Sequence, residues 1–313
     1  MNSSLIFGKW YERAGVRTDP HRTFCAEVES GLTAFPIKLI PHLAHPLTAE
    51  LPEEERGAVI TRRFYEYMNF VANLEAKVVN RGTLVVAFDQ AGLGIDRQLR
   101  LDAWKIYCDE AHHAHTSFEM VDQVERATGV PGLPYSFDHT LARLDGSGAA
   151  LDPQAAQLLQ VVVFETVVTS LLEDIPNDET VAGTIREVVA DHARDERRHH
   201  AFYTRFFDFL WGVMDEGTRA RAARCLPGII TACLSPDLPA IRKSLLATSL
   251  TAAQVEQVIG ETYTDTAVRA DLRASARHTL KMFFDHDVLE VPGAREDFAA
   301  AGLLLPEVGG SRG

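Results

Sequence analysis

The sequence predicts an all-α protein built on a four-helix bundle, and three observations predict it. Four long stretches carry apolar residues at helical spacing and are separated by Gly- or Pro-marked breaks. No stretch of any length alternates polar and apolar residues as a half-buried strand would. Each of the four stretches also carries one part of a repeated pattern of glutamate and histidine.

Residues 1–50 are punctuated by Pro20, Pro36, Pro41 and Pro46 and show little periodicity, so they read as an irregular arm with short helical turns. From Pro52 the pattern is helical. Glu53, Glu54 and Glu55 suit the positive end of a helix dipole. One long helix, or two joined, is expected over about 53–91, stopping at Gly92-Leu93-Gly94. A second is expected over about 96–128, with Asp96 as its cap and Gly129 at its end. The Pro- and Gly-rich segment 130–150 reads as a loop with one turn of helix. A third helix is expected over about 152–175, with Pro153 in its first turn and Pro176-Asn177-Asp178 breaking it. The fourth is expected over about 179–214. Further helices follow over 216–234, 237–248, 251–262 and 264–288. The tail after Pro306 is Gly-rich and expected to fray. No linker divides the middle of the chain, so residues 1–313 read as one domain with its bundle core over about 53–214.

The chemistry lies in two Glu-x-x-His units, Glu110 with His113 and Glu196 with His199. At about 100° per residue, positions three apart fall within roughly 60° on one helix face. Both groups of each unit can therefore reach one point. Each unit follows a helix with a lone glutamate among apolar residues. Glu75 shares its face with Met68, Val71, Ala72, Val78, Val79 and Gly82, and Lys77 and Arg81 point elsewhere. Glu165 shares its face with Leu158, Val161, Val162, Val168, Thr169 and Leu172. An ionised carboxylate there is expensive unless paired or metal-bound. One such glutamate could be protonated or paired with an arginine; two on two apolar faces are harder to explain that way. His192, four residues before Glu196, lies on the same face and offers one more imidazole. It is expected as a ligand, with a hydrogen bond to a ligand as the alternative. His112, His115 and His200 are expected as solvated or supporting groups. Asp109 and Asp195 each precede a ligand glutamate and could orient histidines of another helix, or be solvated surface charges.

The expected metal ligands are thus Glu75, Glu110, His113, Glu165, His192, Glu196 and His199. Two single-glutamate helices and two Glu-x-x-His helices form the donor set of a carboxylate-bridged dimetal site in a bundle. Four glutamates balance two divalent cations. Carboxylate and imidazole without thiolate favour iron or manganese over zinc or copper clusters.

Composition narrows the alternatives. The chain has 313 residues, is 46% hydrophobic and 24% charged, and carries a net charge of −13. That is an ordinary globular composition, and the acidity argues against a nucleic-acid partner. No apolar run is long enough to span a membrane, and the segment around Lys9, Arg13 and Arg17 has no secretory apolar core. Cys25, Cys108, Cys225 and Cys233 form no Cys-x-x-Cys, so reduced thiols and a cytoplasmic location are expected, with no iron–sulfur relay of the chain's own.

Over roughly residues 50–290 the chain resembles the p-aminobenzoate N-oxygenase family. The residues that carry the resemblance are Glu75 in Asn-Leu-Glu-Ala, Glu110 and His113 in Asp-Glu-Ala-His-His, Glu165 in Phe-Glu-Thr, and His192, Glu196 and His199 in His-Ala-Arg-Asp-Glu-Arg-Arg-His. The histidine at 192, additional to the usual six diiron ligands, is that family's mark. The resemblance implies a ferritin-like diiron oxygenase of bacterial natural-product pathways. It implies two non-haem iron ions, dioxygen as co-substrate and an external electron donor, and oxidation of an amine to hydroxylamine, nitroso or nitro. A benzoate substrate would favour an arginine near the metals. The turn before Glu75 offers Tyr67, Phe70 and Val71 instead, which leaves amine oxidation as the expectation.

The expected partners are a small-molecule amine and an external reductase or ferredoxin-type donor. No nucleic acid and no membrane is expected, and a homodimer is the assembly considered. Two other functions use the same ligands: a diiron hydroxylase or desaturase acting on carbon, and a non-catalytic ferritin-like iron-binding protein. Ferritin subunits are shorter, and the arm and the helices after residue 215 argue against the latter. A structural bundle with satisfied core carboxylates is the remaining alternative.

Overall fold

The computed structural model of the chain describes residues 6–172 and 174–305. The Gly-rich tail after Pro306 lies outside them, as do the side chains of Val168 and Thr169 expected on the Glu165 face. The architecture is all-α and ferritin-like, with no strand among the described residues. An isolated bridge joins Thr33 to Val181.

The arm contains the short helices α1 (Trp10–Arg13), α2 (Gly15–Thr18) and α3 (Pro46–Ala49). The first bundle helix is one rod in three parts: α4 (Glu53–Leu74), a π-helical turn over Glu75–Val79, and α5 (Asn80–Phe88). The second is α6 (Arg97–Thr128). Asp96 caps it by accepting from the backbone N–H of Gln98 and Leu99, and Gly129 ends it at φ 68°. Only glycine takes that left-handed conformation freely. The third is α8 (Pro153–Leu172) and the fourth α9 (Gly183–Val213).

Several boundaries differ from expectation. The segment 130–150 contains α7 (Asp138–Ser147), a helix of ten residues rather than one turn. Gly146 and Gly148 hide it in the sequence, and burial of Thr140 and Leu144 against α10 (Glu216–Leu234) stabilises it. The fourth helix begins at Gly183, not 179. Ala182 offers no capping side chain, and Glu29 of the arm supplies one by accepting from the N–H of Gly183 (2.8 Å) and Thr184 (2.9 Å). After α11 (Leu238–Leu246) and α12 (Ala252–Thr262), the stretch 264–288 is two helices, α13 (Asp265–Ser275) and α14 (Arg277–Asp285), meeting at the buried Ala276. No glycine or proline marks that break; α14 turns there to pack on α8. The helix α15 (Ala294–Ala300) was not expected.

Two apolar clusters fill the interior. One contains Val85, Ile106, Leu158, Phe202 and Phe206; the other contains Phe64, Met68, Met120, Leu172 and Val189. On every bundle helix the chain passes from one cluster to the other at the same place. Glu75 follows Val71 and precedes Val78; Glu110 and His113 lie between Ile106 and Met120; Glu165 lies between Phe164 and Leu172; His192, Glu196 and His199 lie between Val189 and Phe202. The acidic and imidazole layer is therefore sandwiched between two apolar layers, which supply the burial free energy that offsets desolvating charge. Among the described residues no helix is long and apolar enough to cross a membrane.

Candidate metal centre

The seven expected side chains converge, and all are buried. They form two groups, within each of which one donor atom per residue lies within 4.8 Å of the others. Glu75, Glu110, His113, His192 and Glu196 make the first; Glu110, Glu165, Glu196 and His199 make the second. Glu110 and Glu196 belong to both. Two centres sharing two carboxylates is the donor arrangement of a bridged dimetal site.

Ring orientation follows from the helix geometry. His199 turns Nδ1 inward, 2.6 Å from Glu110 and 3.2 Å from Glu196. His113 also turns Nδ1 inward, 3.2 Å from Glu110 and 3.4 Å from Glu196. Their Nε2 atoms face outward to carboxylates on the opposite helix: His199 to Asp109 at 3.2 Å and His113 to Asp195 at 3.4 Å. The two aspartates are thus buried histidine partners and not solvated charges. His192 is reversed. Its Nε2 faces Glu196 (3.1 Å) and Glu75 (3.5 Å), and its ring stacks on His113 at 4.0 Å. The π-helical turn begins at Glu75 itself, the kind of single-turn irregularity that recurs at functional sites.

The arm backs the site. The Trp10 indole N–H lies 2.9 Å from both oxygens of Asp109, and the backbone N–H of Gly15 donates to Asp195 at 2.9 Å. A Cβ on Gly15 would stand 2.7 Å from Asp195 Oδ2, so only glycine permits this approach. Arg198 also donates to Asp195. The sequence did not point to Trp10 or Gly15, because the arm has no periodicity from which to read a face.

Electrostatics test whether the cluster suits cations. Neither oxygen of Glu165 receives a hydrogen bond among the described residues. Burial, then the neighbouring Glu196 and Glu110, push its pKa well above the usual carboxylate range. Burial and Glu110 do the same to Glu75. Burial would also raise Glu196, but His199, His113 and His192 hold it well below that range. Burial opposes charge on His113 and His199 as well, and the surrounding carboxylates override it and raise both. Burial and then His113 lower His192, which stays neutral with a lone pair to offer. Without metal, the raised pKa values of Glu75, Glu165, His113 and His199 favour protons where two divalent cations would otherwise balance the carboxylates. The donor set fits such cations in charge, number and hardness, and binding them would release those protons.

A cavity of about 240 Å³ reaches His113 and His192 from outside. Tyr67, Met68, Val71, Met120 and Val188 line its apolar part. Of the histidines set aside in the sequence, His112 and His115 line its outer part and His200 is half-buried. The arm also brings Arg22 to the cavity, which a search of the Glu75 helix could not reveal. Its guanidinium is committed to Asp191 and Glu187. The four cysteines are free thiols outside the cluster.

Residues 25–287 match the profile of the family described as P-aminobenzoate N-oxygenase AurF. The chain belongs to this family. It is also similar to a curated protein, the 4-aminobenzoate N-oxygenase of Streptomyces thioluteus, with 24% identity over 246 residues, 75% of this chain and 71% of that protein. Family membership supports an amine N-oxygenase, and the buried cluster fits a metal site. Residues 6–24, including Trp10 and Gly15, precede the matched segment.

Proposed function

We propose that the protein is a non-haem diiron N-oxygenase that uses dioxygen and an external electron donor to oxidise a small-molecule amine. The observation that carries this reading is the pair of donor groups sharing Glu110 and Glu196. Glu75, His113 and His192 would hold one iron, Glu165 and His199 the other, and the shared carboxylates both. The irons would supply dioxygen activation and oxygen transfer to nitrogen. The chain's residues would do the rest. Asp109 and Asp195 fix the rings of His199 and His113 with Nδ1 turned into the carboxylate cluster. The apolar layers on either side exclude water from the reacting centre. The apolar cavity beside His113 and His192 would seat the amine. Since Arg22 is already paired, a free carboxylate on the substrate finds no spare guanidinium in that cavity. Natural-product biosynthesis is the setting we assign from the family.

The test is metal analysis with product analysis. Purified protein supplied with ferrous iron should hold about two irons per chain, and Glu165→Ala should lose both iron and activity while keeping its helix, since alanine is the better helix former. Wild-type protein retaining only traces of iron would overturn the reading.

A further inference from the structure

A diiron centre of the kind proposed above needs electrons from outside, and one chain of contacts leads from the cluster to the surface. His199 turns Nε2 to Asp109, and Asp109 accepts from the indole of Trp10. The Trp10 ring packs edge-on against Tyr11 at 5.2 Å, and Tyr11 is 63% exposed. The Arg17 guanidinium lies over both rings, 5.8 Å from Trp10 and 5.4 Å from Tyr11. The direct contacts run from imidazole to carboxylate to indole to an exposed phenol, with no apolar gap.

The surface around this end is also distinctive in charge. On a chain of net charge −13, the exposed charged side chains of α1, α2 and the residue before them are Lys9, Arg13 and Arg17 against the single acid Glu12. None of the three basic groups makes an ion pair among the described residues, and Arg17 donates only to the Tyr11 carbonyl. A local positive patch on an acidic protein steers an acidic partner to one place.

We infer that the α1–α2 surface around Tyr11 docks an acidic one-electron carrier protein, and that Trp10 and Asp109 couple the docked carrier to the metal at His199. The inference rests on the diiron reading above. In each encounter the reduced carrier loses one electron and the ferric ion held by His199 gains it. No bond forms or breaks, and the indole and imidazole keep their protons. Trp10 acts through Asp109 and is a positioning and coupling residue.

The experiment uses iron-loaded, oxidised full-length protein and follows anaerobic reduction optically. Two reductants are compared: a reduced acidic plant-type [2Fe–2S] ferredoxin, and dithionite with methyl viologen. The variants are Lys9→Glu/Arg13→Glu, whose exposed positions leave the fold alone, and Trp10→Phe, which keeps an aromatic ring and removes the indole N–H. The double variant should be reduced by ferredoxin at least tenfold more slowly, with loss of the salt dependence expected of wild type. It should keep wild-type iron content and wild-type reduction by viologen. It should also lose ferredoxin affinity in calorimetry, a readout that needs no metal. Trp10→Phe should bind ferredoxin normally yet accept its electrons more slowly. Wild-type ferredoxin kinetics in both variants would overturn the inference and leave the diiron reading standing. A wild-type protein without iron would overturn the diiron reading and this inference with it.

Discussion

Replacing Glu165 by glutamine should change the pH dependence of stability of the metal-free protein in a way that can be worked out in advance. Glu165 is 1% exposed, receives no hydrogen bond among the described residues, and has Glu196 and Glu110 as neighbours. Burial and those carboxylates raise its pKa well above the usual range. The folded, metal-free protein therefore keeps a proton on Glu165 at a pH where the unfolded chain, with a pKa of about 4.3, has lost it. The native state binds more protons, so stability must fall as pH rises from the unfolded pKa to the folded one. The slope for one group is about 1.4 kcal/mol per pH unit. Glu75 adds a slope of the same sign. So do His113 and His199, whose contribution is lost as pH rises through their raised pKa values. Glutamine has no proton to lose and is nearly the same shape. Because Glu165 is neutral in the metal-free state, the substitution leaves the field at its neighbours almost unchanged. The stability difference between variant and wild type should therefore open in favour of the variant as pH rises above the unfolded pKa, by at most about 1.4 kcal/mol per pH unit. Urea unfolding with chelator present, at pH 4, 5 and 6, measures it. Added ferrous iron should then stabilise wild type more than the variant, because only the carboxylate is a strong ligand. Parallel pH profiles in chelator would mean that Glu165 is already ionised and paired, and the account of protons replacing cations would be refuted.

Other outcomes follow from the same geometry. His192→Ala should keep most of the iron, since six donors remain, but change the rate of amine oxidation and the optical spectrum after oxygen exposure; an unchanged spectrum and rate would reduce His192 to a supporting role. Gly82→Ala should destabilise the protein by about 1–3 kcal/mol in thermal unfolding, because the added Cβ would stand 2.7 Å from Val161 and 2.8 Å from the Gln157 carbonyl where α5 crosses α8. Turnover under oxygen-18 should label the substrate nitrogen in mass spectra; label on carbon alone would favour the hydroxylase reading.

The sequence by itself determined a good deal. It specified four bundle helices, three of them with a start and a stop signal in the chain, such as Asp96 and Gly129 around α6. It also specified which side chains could share a point, because i, i+3 and i+4 spacing on a helix is local geometry that tertiary packing does not alter. That is why Glu110 with His113, and His192 with Glu196 and His199, could be grouped from spacing alone. Tertiary structure decided everything that depends on how helices meet. Glu110 and Glu196 lie in both donor groups because α6 and α9 pack face to face, a relation no spacing encodes. Helix crossing also made Asp109 and Asp195 partners of histidines on the opposite helix. The sequence could only leave them open between that role and solvent. The arm was the least legible part. Trp10, Gly15 and Glu29 act through single long-range contacts, to Asp109, Asp195 and the start of α9. Such contacts leave no periodic trace, because each depends on where a distant segment comes to rest and not on its neighbours in the chain.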